Sequence, residues 1–130
     1  MVNKDSLLPT DWFGRAGKDI NRVKVMLKEG DYEDAGFHLQ QAVEKYLKGY
    51  LLFKGWKLQK THDLVDLLNC VVKYDHNFEK FRSLTQITTE YYIEERYPFV
   101  ITSEITKEEI EENLAKAKEL RDKIIAEFEV

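Results

Sequence analysis

A chain of 130 residues with one cysteine, three histidines and 34% charged residues is long enough to bury a single core without disulfides or a structural metal. Its formal charge of -4 speaks against sequence-independent binding to duplex DNA, a mode that depends on a surplus of Lys and Arg. No uncharged run approaches the ~20 residues that span a bilayer and no basic, then apolar leader opens the sequence, so the expectation is a cytoplasmic protein with no membrane partner.

Apolar residues recur at three- and four-residue spacing and the only prolines are Pro9 and Pro98, which predicts helix almost throughout. The first helix is expected from an N-cap at Thr10, with Trp12, Ala16, Ile20, Val23 and Leu27 on one stripe and Gly30 closing it. Asp31 then caps a longer helix carrying Ala35, Leu39, Ala42, Val43, Tyr46 and Tyr50, which stops at Gly55, so the two form an antiparallel pair. Thr61 is the expected cap of a third, shorter helix that ends near Asp75-His76-Asn77. A fourth runs from Phe78 through Phe81, Leu84, Thr88, Tyr91 and Tyr92 and ends by Tyr97, because Pro98 drives its predecessor out of helical geometry. After a loop to Ile105, the capping box Thr106-Lys107-Glu108-Glu109 starts the last helix, with Ile110, Leu114, Ala117, Leu120, Ile124 and Phe128 on its apolar side. The pattern gives an all-α, up-and-down bundle of about five helices, one domain over residues 1–130. Cys70 lies in an apolar run and reads as a small core residue.

Signatures for phosphate loops, paired-cysteine zinc sites and HExxH centres are missing, which predicts no metal and no cofactor. His76 reads as a solvated turn residue. His38, Gln41, Lys45 and Lys48 fall within one quadrant of the second helix at the rim of its apolar stripe, where they either hold an anion such as a phosphate or form a solvated flank. Lys60 and His62 sit at the start of the third helix, whose free N–H groups and dipole favour anions; they either contact a ligand phosphate or serve the helix end and its packing. Continuing the fourth helix puts Glu95 and Arg96 on its apolar face one turn beyond Tyr91 and Tyr92, as a structural ion pair or as part of a site. Tyr91, Tyr92 and Tyr97 beside Arg96 supply stacking surfaces and hydroxyls suited to a nucleotide or to a dimer interface.

Three segments, in this order, carry a family resemblance: Ala35-Gly36-Phe37-His38-Leu39-Gln40-Gln41-Ala42-Val43-Glu44-Lys45-Tyr46-Leu47-Lys48, then Lys60-Thr61-His62-Asp63-Leu64, then Glu95-Arg96-Tyr97-Pro98. With them, nearly the whole chain resembles the HEPN family, the "higher eukaryotes and prokaryotes nucleotide-binding" domain. The resemblance implies a helical bundle, commonly dimeric, similar to the substrate-binding domain of kanamycin-type nucleotidyltransferases, and in many cases partnered with a separate nucleotidyltransferase chain. Some members of the family are toxin ribonucleases that use an Arg followed, after four to six residues, by a His. This sequence departs from that pattern: the eligible positions after Arg96 are Ile101, Thr102 and Ser103, and Arg15, Arg22, Arg82 and Arg121 have no histidine at that spacing either. The resulting expectation is a non-catalytic domain that binds a nucleotide or a nucleotidyltransferase partner through His38, Gln41, Lys45, Lys60, His62, Tyr92, Glu95, Arg96 and Tyr97. Its rivals are a divergent toxin-like ribonuclease in which His62 or His38 replaces the missing histidine, and a purely structural homodimer module.

Overall fold

In a computed structural model the described residues are 6–57, 60–92 and 105–129. Helix α1 spans Pro9–Glu29, α2 Tyr32–Phe53, α3 Leu64–Val72, α4 Arg82–Thr88 and α5 Lys107–Phe128. Two 3₁₀ turns, His76–Phe81 and Thr89–Tyr91, flank α4. The described residues contain no strand.

The α1/α2 hairpin is set by two residues. Gly30 takes a left-handed conformation at φ 81°, closed to L side chains at low cost, and the Asp31 N–H then donates back to the Met26 carbonyl at 2.9 Å. Asp31 restarts the helix at once, its carboxylate accepting from the Asp34 N–H at 3.1 Å. The same device ends α2: Gly55 is left-handed, and the Trp56 N–H donates to the Leu51 carbonyl at 2.8 Å. Helix α1 begins two residues earlier than expected, capped at Leu8 instead of Thr10, with Pro9 at the first helical position, where its missing N–H costs nothing.

Helix α2 is the hub, packed against α1, α3, α4 and α5. Leu39, Val43, Leu47, Tyr50 and Leu51 are fully enclosed, each contributing about 1.5–3 kcal/mol if apolar and wholly buried. No residue from Asp34 to Leu52 is fully exposed. Contact with α1 is closest at Gly49, where a Cβ would lie 2.5 Å from the Phe13 ring.

Three expected boundaries shift. Asp63, not Thr61, caps α3, because its carboxylate reaches both the Val65 and Asp66 N–H groups while Thr61 Oγ1 accepts only from the Asp63 N–H. Helix α3 ends at Val72, earlier than Asp75. The single fourth helix is three short pieces: Asp75 caps a 3₁₀ turn through Asn77 N–H, and the helical path stops at Tyr91, since Tyr92 is extended at ψ 114°. The projection that put Glu95 and Arg96 on a continuing apolar face therefore ends at Tyr91; Glu95, Arg96 and Tyr97 themselves lie outside the described residues. In the α5 capping box, Thr106 Oγ1 accepts from the Glu109 N–H at 3.1 Å, but the Glu109 carboxylate is turned away to accept from the Tyr91 hydroxyl. Cys70 is partly buried at the edge of the core and unpaired with any other cysteine.

Candidate functional site

The polar arc of α2 is not a solvated flank. Six residues along it, His38, Gln40, Gln41, Glu44, Lys45 and Lys48, are buried or half-buried and hydrogen-bonded into two clusters, each centred on one carboxylate.

Asp19 centres the first, only 1% exposed on the inner side of α1. Its carboxylate accepts from His38 Nδ1 at 3.1 Å, from the Lys45 ammonium, and from Arg22 at 3.5 Å. His38 Nε2 lies 3.7 Å from Asp34. A phosphate approaching Lys45 or His38 must therefore compete with a carboxylate already in place. Asp19 was not among the expected site residues, although the signal was present: it falls between Ala16 and Ile20 on the stripe α1 turns inward, where a charge needs a partner.

Glu44 centres the second cluster. One oxygen accepts from Lys48 Nζ at 3.0 Å, the other from Gln40 Nε2 at 3.0 Å and from His62 Nδ1 at 3.2 Å. Gln40, fully buried, also reaches the His62 carbonyl at 3.4 Å, which ties α2 to the segment entering α3. Gln41 donates to Gln40 Oε1 at 2.7 Å, so the amide expected to face a ligand faces its neighbour. Lys48 is buried, its ammonium 5.8 Å above the Trp12 ring.

His62 is the most open member of this group. A carboxylate at Nδ1 makes that nitrogen the proton donor, and in the neutral ring Nε2 accepts from the Tyr92 hydroxyl at 3.1 Å. The rings of His62 and Tyr92 stack with centroids 4.2 Å apart and planes 19° apart, and Phe37 lies behind Tyr92 at 6.3 Å and 29°. Tyr92 is buried, whereas 42% of the His62 side chain remains exposed. Lys60 is exposed two residues upstream. The structure thus joins His62 to Tyr92, and keeps both apart from the Asp19 pairing of His38 and Lys45. Tyr91 points elsewhere: burial, and then the Glu109 carboxylate it donates to, push its hydroxyl pKa well above the usual tyrosine range. His76 is exposed in its turn, as expected. No group of three or more metal-ligating side chains occurs among the described residues, and none of their helices is long and apolar enough to cross a membrane.

A helical hairpin whose second helix is sheathed on every side, with carboxylate-centred polar clusters locking it to α1 and to the start of α3, defines a compact all-α bundle domain. Its fold matches the crystal structure of TT1696 from Thermus thermophilus, with a TM-score of 0.75 and 27% identity over 91% of this chain and 96% of that one. It also matches that of ST0689, an archaeal HEPN homologue, with a TM-score of 0.74 and 23% identity over 92% and 97% of the two chains. In sequence it is 30% identical over 128 residues to the Methanocaldococcus jannaschii protein named "Putative toxin MJ1304", an alignment covering 88% of this chain and 83% of the relative. The model of the HEPN domain matches residues 10–127, and the chain belongs to the HEPN domain family.

Proposed function

We propose that this protein is a non-catalytic HEPN domain that binds a nucleoside phosphate at the His62 end of α2, acting as a homodimer and as the helical partner of a separate nucleotidyltransferase chain. The observation that carries the nucleotide reading is the mounting of His62. Its edge is fixed by Glu44 and Tyr92 and one face is covered by the Tyr92 ring, while much of the side chain stays open. An imidazole held in this way is a prepared stacking surface for a base, with Lys60 near enough in sequence to meet the phosphate. Preorganisation of this kind lowers the ordering cost of binding.

Both histidines that would have to replace the missing motif histidine are already engaged, His38 by Asp19 and His62 by Glu44 and Tyr92. His62 has both ring nitrogens hydrogen-bonded and presents none to a substrate proton, which supports the non-catalytic reading, whereas His38 keeps Nε2 outside hydrogen-bonding distance, 3.7 Å from Asp34. The ribonuclease reading keeps one specific support besides the name of the Methanocaldococcus relative: a carboxylate on Nδ1 is also how an imidazole base is oriented in hydrolases. Displacing Tyr92 from Nε2 would then expose the base.

Nuclear magnetic resonance of the imidazole protons separates these readings, since the chain has only three histidines. Adding a nucleoside monophosphate is expected to shift the His62 ring resonances and leave those of exposed His76 in place. Unmoved His62 resonances at millimolar nucleotide would remove the nucleotide reading. Light scattering that returns a monomer would remove the homodimer, and a pull-down from the native host that yields no nucleotidyltransferase would remove that partner.

A further inference from the structure

Outside the His62 cluster, the C-terminal half of α1 and the N-terminal half of α5 enclose an open groove of about 530 Å³. Its walls carry Lys24, Lys28, Lys107 and Lys118 against a single acid, Glu111, and its floor is Leu27, Leu114 and Ala115. In a chain of formal charge -4 this is a local inversion of sign. None of the four ammonium groups has a carboxylate within ion-pair distance among the described residues, although the lysines at 45, 48 and 116 each have one and Lys123 has two.

Two of them face each other. Lys24 on α1 and Lys118 on α5 line the groove from its two helices, and the Lys118 pKa lies below the usual lysine range, through partial desolvation first and then the Lys24 and Arg121 charges. Like charges placed on both walls of one groove repel unless an anion bridges them. Lys24 and Lys28 are one turn apart on α1, and Lys107 and Lys118 are separated by roughly 16 Å along α5 at 1.5 Å per residue. That length exceeds one phosphate group and suits several in a row, with the apolar floor left for the linking atoms.

We propose that the groove between α1 and α5 binds a run of consecutive phosphates, with Lys24 and Lys118 gripping one phosphate jointly and Lys28 and Lys107 the next ones. A lysine ammonium is a compact point charge that meets a phosphate from any side, so the site reads charge spacing and not base identity. The same chemistry is offered by inorganic polyphosphate and by the backbone of a single strand.

Fluorescence anisotropy with a labelled short oligouridylate, competed by tripolyphosphate or by polyglutamate, tests the proposal on the full chain. The expected result is salt-sensitive binding with a slope of about -2 in log K against log salt, near 0.7 for each neutralised phosphate. The double variant Lys24→Gln/Lys118→Gln should weaken binding by at least about tenfold and flatten the slope by about 0.7, whereas Lys57→Gln/Lys73→Gln, two exposed lysines elsewhere, should stay within about twofold. His62→Ala should leave this binding intact, so the two sites fail separately. Displacement of a weakly held strand by tripolyphosphate assigns the site to polyphosphate; a tightly held strand that resists it assigns the site to a nucleic acid backbone. The proposal is overturned if neither phosphate probe binds, if both lysine pairs lose binding equally, or if polyglutamate competes as well as tripolyphosphate.

Discussion

Glu44 on α2 and His62, eighteen residues later at the entrance to α3, share a hydrogen bond of 3.2 Å between Oε1 and Nδ1. Around it the chain encloses Lys48 and Gln40, so one carboxylate organises a helix, the entry to its neighbour and the most open ring of the candidate site. Replacing Glu44 with Ala leaves the Lys48 ammonium, whose side chain is 6% exposed, without its anion. Unfolding by denaturant should show a loss of about 3–5 kcal/mol, and Glu44→Ala/Lys48→Met should recover much of it, because an apolar pair avoids the cost of stranding a charge.

Two glycine substitutions should move stability in opposite directions. At Gly49 a Cβ meets the Phe13 ring at 2.5 Å, where α1 and α2 touch, so Gly49→Ala should cost about 1–3 kcal/mol by overpacking. At Gly14, exposed in the middle of α1, nothing lies within 4 Å, and Gly14→Ala should stabilise by about 0.5–1 kcal/mol through helix propensity. Denaturant midpoints of the two variants against the parent protein check both signs.

Tyr46, Tyr50 and Tyr91 all have pKa values raised above 10.0, in each case chiefly by burial, with Glu127 adding to the effect at Tyr50 and Glu109 at Tyr91. A folded pKa above the unfolded one means that their contribution is fully present below about pH 10 and is lost as the pH rises toward the folded values. Tyrosinate absorbance followed with circular dichroism should therefore show these three ionising only together with loss of helix.

Incubated with single-stranded RNA in the presence of EDTA, the protein should release no fragments. Cleavage by the wild type that disappears in Arg96→Ala or His62→Ala would replace the non-catalytic reading with the ribonuclease one.

The bundle was legible in the sequence because its signals are local. Gly30-Asp31, Gly55 and Thr106 each act on the backbone within a few residues, and the α5 stripe from Ile110 to Ile124 is buried as its spacing demands. The breaks around α4 were hidden because the 3₁₀ turns His76–Phe81 and Thr89–Tyr91 overlap a run from Phe78 to Tyr92 whose apolar spacing still reads as one helix. In the candidate site, His62 and Tyr92 do meet, and the helical strip of His38, Gln41, Lys45 and Lys48 does share a face. Periodicity could not reveal what lies opposite that face. Asp19 comes from another helix and Glu44 makes its contact to His62 across the bundle, so the pairing of the cations depends on tertiary packing.

Isothermal calorimetry with ATP, GTP and their monophosphates tests the central claim most directly. Wild-type protein should bind at least one of them with a Kd of roughly micromolar to millimolar, equivalent to about 4–8 kcal/mol, and added salt should weaken the binding as exposed charges are screened. His62→Ala should remove the stacking surface and Lys60→Glu the phosphate contact, each weakening binding by about tenfold while the melting transition stays cooperative. No heat for any nucleotide, or equal affinity in wild type and both variants, would contradict the account.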